Sequence, residues 1–321
     1  MRRIRFDMGD GLMTGVEFGS PVQPVAALWL HATGFNAMTY QSILAPLGLR
    51  TRVAAVDLRG HGRNTTPTNR SYPSWSVHVR DVISWLEKYA PQGVVLGGHS
   101  MGGCVAAMIA GKRPDLVRGL VLVDPVILPP AYYRLRHLAP FVLALSNRGN
   151  GMARAAKRRR STFPSQFEAR ERYKRKPVFK SWREPFLSDY LLDGIDRVDD
   201  FPPESEEQIW QLLCAPSWEA ATFKAQRNRP WNAIKKITKN KIPAKILRAS
   251  SGSVMSKRTV ELIRQRAPAI QVETVRGSSH FLPMEVPYSV RDELSGFIAR
   301  LVEGFSAAEE GAVQRTLHKK N

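Results

Sequence analysis

A chain of 321 residues that is 43% hydrophobic can bury a sizeable core, and it is long for one domain unless that domain carries an insertion. No apolar run approaches the roughly eighteen residues of a membrane span, and two cysteines, Cys104 and Cys214, are too few for a disulfide framework. The formal charge of +20 admits nucleic acid, an acidic membrane surface or an anionic small molecule as partner, or simple solubility, so its distribution along the chain has to decide.

The N-terminal stretch Met1 to Asp7 is basic but no apolar stretch follows it, so no signal peptide is expected and the cytoplasm is the simplest compartment. Residues 3–7 and 13–18 alternate like two strands joined at Gly9-Asp10-Gly11. Val25 to Leu30 is continuously apolar, as a buried central strand is. It leads into His31-Ala32-Thr33-Gly34-Phe35-Asn36, and Met38 to Leu47 predicts a short helix. Backbone N–H groups of a loop leaving a central strand can meet a developing oxyanion, which makes Thr33 a candidate and Gly34 its neighbour. Arg52 to Asp57 is the next strand. In the polar loop after it, Asp57 and His61 read as structural groups rather than an acid and a base. Trp75 to Tyr89 repeats its apolar residues at helical period.

The stretch from Gly93 to Ala110 organises the rest. Val94 to Leu96 has the length of a buried strand, and Gly102 to Ala110 is small enough to pack as a helix tight against a sheet. Between them, Gly98-His99-Ser100-Met101-Gly102 reads G-x-S-x-G. That spacing suits a serine on a sharp strand-to-helix turn, with glycines leaving room and the Met101 N–H aimed at developing charge. Cys104 falls in this helix, where a buried reduced thiol is expected.

Arg118 to Asp124 predicts a strand ending in a carboxylate. From Pro129 to about Lys241 strand patterns vanish, and residues 129–241 are expected to form a helical cap inserted between 1–128 and 242–305. Phe163, Phe167, Tyr173, Phe179, Trp182, Phe186, Tyr190, Trp210, Trp218, Phe223 and Trp231 are expected to supply its core and the roof of a pocket. Twelve Lys or Arg lie between Arg154 and Arg183, against Glu168 and Glu171. The sheet resumes at Ala244 to Ala249, followed by a helix over Lys257 to Arg266 and a strand over Ile270 to Val275. The loop Arg276-Gly277-Ser278-Ser279-His280-Phe281 and a helix from Pro287 to Phe305 come next, then a loose tail over 306–321.

This alternation, with a serine turn near residue 100 and a loop histidine near 280, resembles the α/β-hydrolase superfamily over about residues 20–128 and 242–303. The motifs that carry it are His31-Ala32-Thr33-Gly34-Phe35, Asp57-Leu58-Arg59-Gly60-His61-Gly62, Gly98-His99-Ser100-Met101-Gly102 and Gly277-Ser278-Ser279-His280-Phe281. The resemblance implies a mostly parallel eight-stranded sheet flanked by helices. It implies Ser100 as nucleophile, His280 as general base and then acid, and Met101 with Thr33 as the oxyanion hole. Gly34, Phe35, His99 and Phe281 are expected at the substrate. The acid departs from the common pattern: Ser253 stands where most relatives carry an aspartate after the strand 244–249. Asp124, one strand earlier, is the expected acid, and some relatives place theirs there. Its alternative is a turn residue before Pro125.

A serine nucleophile argues against dehalogenase or epoxide-hydrolase chemistry, where the family uses aspartate. Ester hydrolysis is the leading reading, extending to thioesters and lactones. A C–C hydrolase, a cofactor-free acyl-transfer or perhydrolase enzyme and a receptor-like ligand binder are the alternatives. The run Lys157-Arg158-Arg159-Arg160 reads as a solvated helix face that bears on substrate choice rather than chemistry. An anionic acyl substrate is the variant its charge invites, and no nucleic acid is expected. With no metal-ligand spacing, G-x-G-x-x-G or P-loop, no cofactor is expected.

Overall fold

The computed structural model describes residues 1–68, 72–138, 147–198 and 209–301. In chain order the strands are β1 (Arg2–Asp7), β2 (Leu12–Phe18), β3 (Val25–Leu30), β4 (Arg52–Val56), β5 (Val94–His99), β6 (Val117–Val123), β7 (Thr162–Phe163), β8 (Ile195–Arg197), β9 (Trp210–Leu212), β10 (Ala244–Ala249) and β11 (Ile270–Val275). Eight of them form one sheet in the order β1-β2-β4-β3-β5-β6-β10-β11. β1 and β4 both run antiparallel to β2, and every other pairing is parallel. This is the alpha/beta hydrolase fold, as expected.

The strand sequences account for the layering. β3 and β5 are buried at every position, because helices cover both faces of a parallel sheet and leave no polar side. Edge strand β11 instead exposes Gln271, Glu273 and Thr274, at least in part. One core lies on the side of the helices Ser76–Tyr89, Met101–Lys112 and Pro230–Lys239, the other under the helix over 287–301. The expected end of that last helix at Phe305 and the tail 306–321 lie outside the described residues. The single helix expected over Met38 to Leu47 is broken into two short turns, Met38–Tyr40 and Gln41–Leu44, with a third over Leu47–Leu49. Pro46 has no N–H to continue the ladder.

Between β6 and β10 the chain is not wholly helical. β7, β9 and β8 pair into a small antiparallel sheet, too short in each strand for periodicity to reveal it. Most of the aromatic residues named above are buried there, but Phe167 is exposed at the surface. The helix Pro230–Lys239, placed in the insertion by its sequence position, packs instead on the helix behind the serine: Ala233, Ile234 and Ile237 share the sheet's core, and Ala233 meets Gly111. The inserted segment is tied to the sheet's loops by polar bonds. Asp189 accepts from Gln41 and Ser42, Asn36 donates to the Tyr190 carbonyl, and the Trp218 indole donates to the Arg59 carbonyl. No helix among the described residues is long and apolar enough to cross a membrane.

Candidate active site

Ser100 follows β5 directly and precedes the helix Met101–Lys112, with φ 56° and ψ −113°. A non-glycine residue held there costs on the order of 1–3 kcal/mol, and bonds on both sides keep it in place. Its N–H donates to the Val123 carbonyl at 2.9 Å, while its carbonyl accepts from Val126 and Cys104 at 3.0 and 3.2 Å. The flanking glycines answer a close approach. A Cβ on Gly98 would stand 2.5 Å from the Gly102 carbonyl, and one on Gly102 would stand 2.2 Å from the Leu30 oxygen. The G-x-S-x-G spacing is what a strand folding straight back into a touching helix requires.

The loop after β11 carries His280 over this serine. His280 Nε2 lies 3.0 Å from Ser100 Oγ, and Nδ1 lies 2.7 Å from Asp124 Oδ2. Asp124 follows β6 at φ 38°, its N–H bonded to the Leu247 carbonyl at 2.7 Å. Its buried carboxylate also accepts from the N–H groups of Ala249 and Val254, at 3.1 and 3.0 Å, and from the Ser253 hydroxyl at 2.5 Å. Burial opposes the charge, but the bonds from His280, Ser253 and Ala249 outweigh it and hold the Asp124 carboxyl below the usual range. Ser253 therefore bonds the carboxylate rather than the imidazole. Glu285 fixes the histidine loop by accepting from the N–H and the hydroxyl of Ser279, both at 2.6 Å.

A cavity of about 520 Å³ opens over the pair, lined by Ser100, His280, Thr33, Phe35, His99 and Phe281 from the sheet's loops and by the inserted segment above. Phe35 and Phe281 stand where the sequence suggested, on its wall. Gly34 does not: it is buried beneath the Glu219 carboxylate, where an added Cβ would meet Oε1 at 2.7 Å. Its positive φ, 79°, serves a tight turn closed by the Phe35 N–H on the Ala32 carbonyl, which leaves the Thr33 N–H outside that bond. The Met101 side chain is wholly buried and its sulfur accepts from the Thr33 hydroxyl. What Met101 can offer the cavity is its backbone N–H, one of the first-turn donors a helix leaves unpaired. Of the basic run, Arg159 turns inward and lines the cavity, while Lys157, Arg158 and Arg160 stay at the surface. The expectation of a wholly solvated face is corrected at that one residue.

Over residues 27–293 the sequence matches the Alpha/beta hydrolase family. The chain belongs to that family. This hydrolase is similar to the sn-1-specific diacylglycerol lipase of Mus musculus, 25% identical over 284 residues that cover 85% of this chain and 81% of the lipase. It is also similar to an esterase of Mycobacterium tuberculosis, 33% identical over 124 residues, 39% of either chain. Uncharacterized mycobacterial proteins match at 37% identity over 100 residues, 31% of this chain and 28% of their own length. Among solved structures, E-2-(acetamidomethylene)succinate hydrolase has a TM-score of 0.71 at 22% identity, covering 93% of this chain and 99% of that one. The thioesterase domain from the curacin biosynthetic pathway has a TM-score of 0.70 at 19% identity, covering 92% and 99%. At these identities the likeness carries the fold.

Sequence reasoning about the hydrolase missed how its other histidines are used. His99 lines the cavity with its ring, but both nitrogens are engaged. Nε2 donates to the His280 carbonyl at 2.7 Å, so Nδ1, in a neutral ring, accepts from Tyr40 Oη at 2.8 Å. Tyr40 in turn accepts the Ala32 N–H at 3.2 Å. A run of bonds thus links the turn bearing Thr33 to the backbone of His280. Nothing in the residue preceding Ser100 announces this, because its partners come from 59 and 181 positions away. Asp57 and His61 do not line the cavity. Asp57 accepts from Ala37 and Thr14, and His61 packs in a buried row between His31 and His78. Among the described residues no three His, Cys, Asp or Glu gather to hold a metal ion.

Those histidines set an acid limit. Burial lowers His31, His61, His78 and His99 to about 3, against 6.5 for a free imidazole. The unfolded chain therefore binds more protons than the fold between those values, and stability drops as pH falls through that window. Asp57 works the other way: burial raises it to about 6, so the fold keeps a proton that the unfolded chain has lost above 3.8. Four histidines less one carboxylate leaves about three protons between pH 4 and 6, or roughly 4 kcal/mol of stability per pH unit. Urea midpoints are expected to fall steeply from pH 6 to pH 5; a flat profile across that unit would refute the assignment.

Proposed function

We propose that this hydrolase cleaves a carboxylic ester, or a related thioester or lactone, through an acyl-serine intermediate. The observation that carries the reading is the series Ser100–His280–Asp124, bonded at 3.0 and 2.7 Å at the wall of a cavity large enough for a small acyl substrate. Ser100 Oγ attacks the carbonyl carbon as His280 Nε2 takes its proton. The resulting oxyanion meets the N–H groups of Met101 and Thr33. His280 then protonates the departing alkoxide as the C–O bond breaks. Water repeats the sequence on the acyl-serine, with His280 again the base, and releases the acid and the free serine. Asp124 holds Nδ1 protonated and balances the imidazolium charge. Residues 129–241 would serve as the cap over this site, and the excess of positive charge suits an anionic substrate.

The lipase and esterase names among the relatives support the class, and a serine at the strained turn fits acyl transfer better than the aspartate chemistry of dehalogenases. A histidine held between an acid and a strained serine counts against a binder without turnover. The two buried free thiols, Cys104 and Cys214, suit a reducing compartment, and we place the protein in the cytoplasm. A fluorophosphonate probe tests the reading. It is expected to modify Ser100 alone, with the adduct located by peptide mass, and heat-unfolded protein is expected to stay unlabelled. An unmodified Ser100 in folded protein would sink the serine mechanism.

A further inference from the structure

The inserted segment gives the cavity charge that the ester chemistry does not use. Arg159 pairs with Glu219 and donates to the hydroxyls of Tyr173 and Tyr190 at 2.7 and 2.8 Å. Burial works against its charge, but Tyr190, Glu219 and Tyr173 together keep it cationic. This leaves Glu219 committed to Arg159. Lys176 lines the same cavity, half-buried, with its ammonium 4.5 Å over the Tyr173 ring. No carboxylate or hydrogen-bond acceptor reaches that ammonium among the described residues. Burial, then Arg159 and Arg172, disfavour its charge and lower its pKa.

A partly desolvated cation beside two others is a cost that the Tyr173 ring and the Glu219 charge offset only in part, since the net effect still lowers the pKa. A bound anion would offset it. Met152, Ala155, Val178, Phe179 and Phe223, which also line the cavity, are apolar and offer a charged group no partner. The ring under Lys176 fixes where the ammonium sits, and Arg159, which lines the same cavity, adds positive potential.

We propose that Lys176, backed by Arg159, is a subsite for a carboxylate carried by the substrate, so that the favoured ester bears a second, anionic end. This rests on the serine-ester reading and names its substrate class.

Two pairs of near-isosteric esters test it: mono-4-nitrophenyl glutarate against 4-nitrophenyl pentanoate, and 4-acetoxybenzoate against its methyl ester. In at least one pair the anionic member is expected to have a kcat/KM at least tenfold higher. Lys176→Met is expected to lower that ratio at least tenfold, Lys176→Arg to retain most of it, and Lys176→Glu to invert it. Because the readout is a ratio within one preparation, partial misfolding cancels. In wild-type enzyme, which needs no variant, the ratio is expected to shrink as salt rises. Ratios near one in both pairs, or a preference that survives Lys176→Met, would overturn the subsite while leaving the esterase reading intact. Failure to turn over any of the four esters, with Ser100 unlabelled by fluorophosphonate, would overturn both.

Discussion

Ser100→Ala is expected to lower ester turnover on the order of a millionfold, about 8 kcal/mol of transition-state stabilisation, because no other nucleophile stands under the imidazole. His280 Nε2 is bonded to Ser100 Oγ and to no other described side chain, so removing the hydroxyl leaves the base without a proton to take. The fold has no reason to suffer. Ser100 is held by its backbone, through Val123, Val126 and Cys104, and alanine keeps all three bonds. The strained φ of 56° persists with the same Cβ. A melting temperature close to wild type, beside turnover at the background rate, is the expected pair of measurements. Turnover within tenfold of wild type would remove Ser100 from the mechanism.

Asp124→Asn is expected to cost about ten-thousandfold in turnover, some 5 kcal/mol. The shape survives, but the amide can present an N–H to Nδ1. That favours the tautomer whose Nε2 is protonated and can no longer accept from Ser100. It also leaves the imidazolium without its counter-charge. Stability falls as well, because the Ser253 hydroxyl and the N–H groups of Ala249 and Val254 lose charged acceptors worth about 1.5–3 kcal/mol each at most. The loss of rate is expected to exceed what any loss of folded protein explains, and measuring both on one sample separates them. Ser253→Asp in the Asp124→Asn background is expected to restore part of the rate, since Ser253 Oγ already touches the Asp124 carboxylate from the loop after β10. Near-normal turnover in a folded Asp124→Asn protein would make Asp124 a turn residue only.

Hydrophobic pattern and glycine spacing were enough to lay out the sheet and its serine turn. Runs such as Val25–Leu30 and Gly119–Val123 are apolar throughout because helices cover both faces, and that burial is written into every residue of the run. The glycines around Ser100 are likewise forced locally, by a helix that touches the strand it leaves. Asp124 stands out in the chain as a carboxylate closing a strand, but its bonds to His280, Ser253, Ala249 and Val254 reach across 125 to 156 positions and exist only once β6 and β10 are paired. The same holds for the bonds of His99. In the inserted segment the chain order says least. Its strands are two or three residues long, below the length at which alternation can be read, and its basic run looks uniform. Which one of four successive cations turns inward was decided by tertiary structure alone: Glu219, Tyr173 and Tyr190 converge from three separate helices to make a place for Arg159 that its neighbours cannot reach.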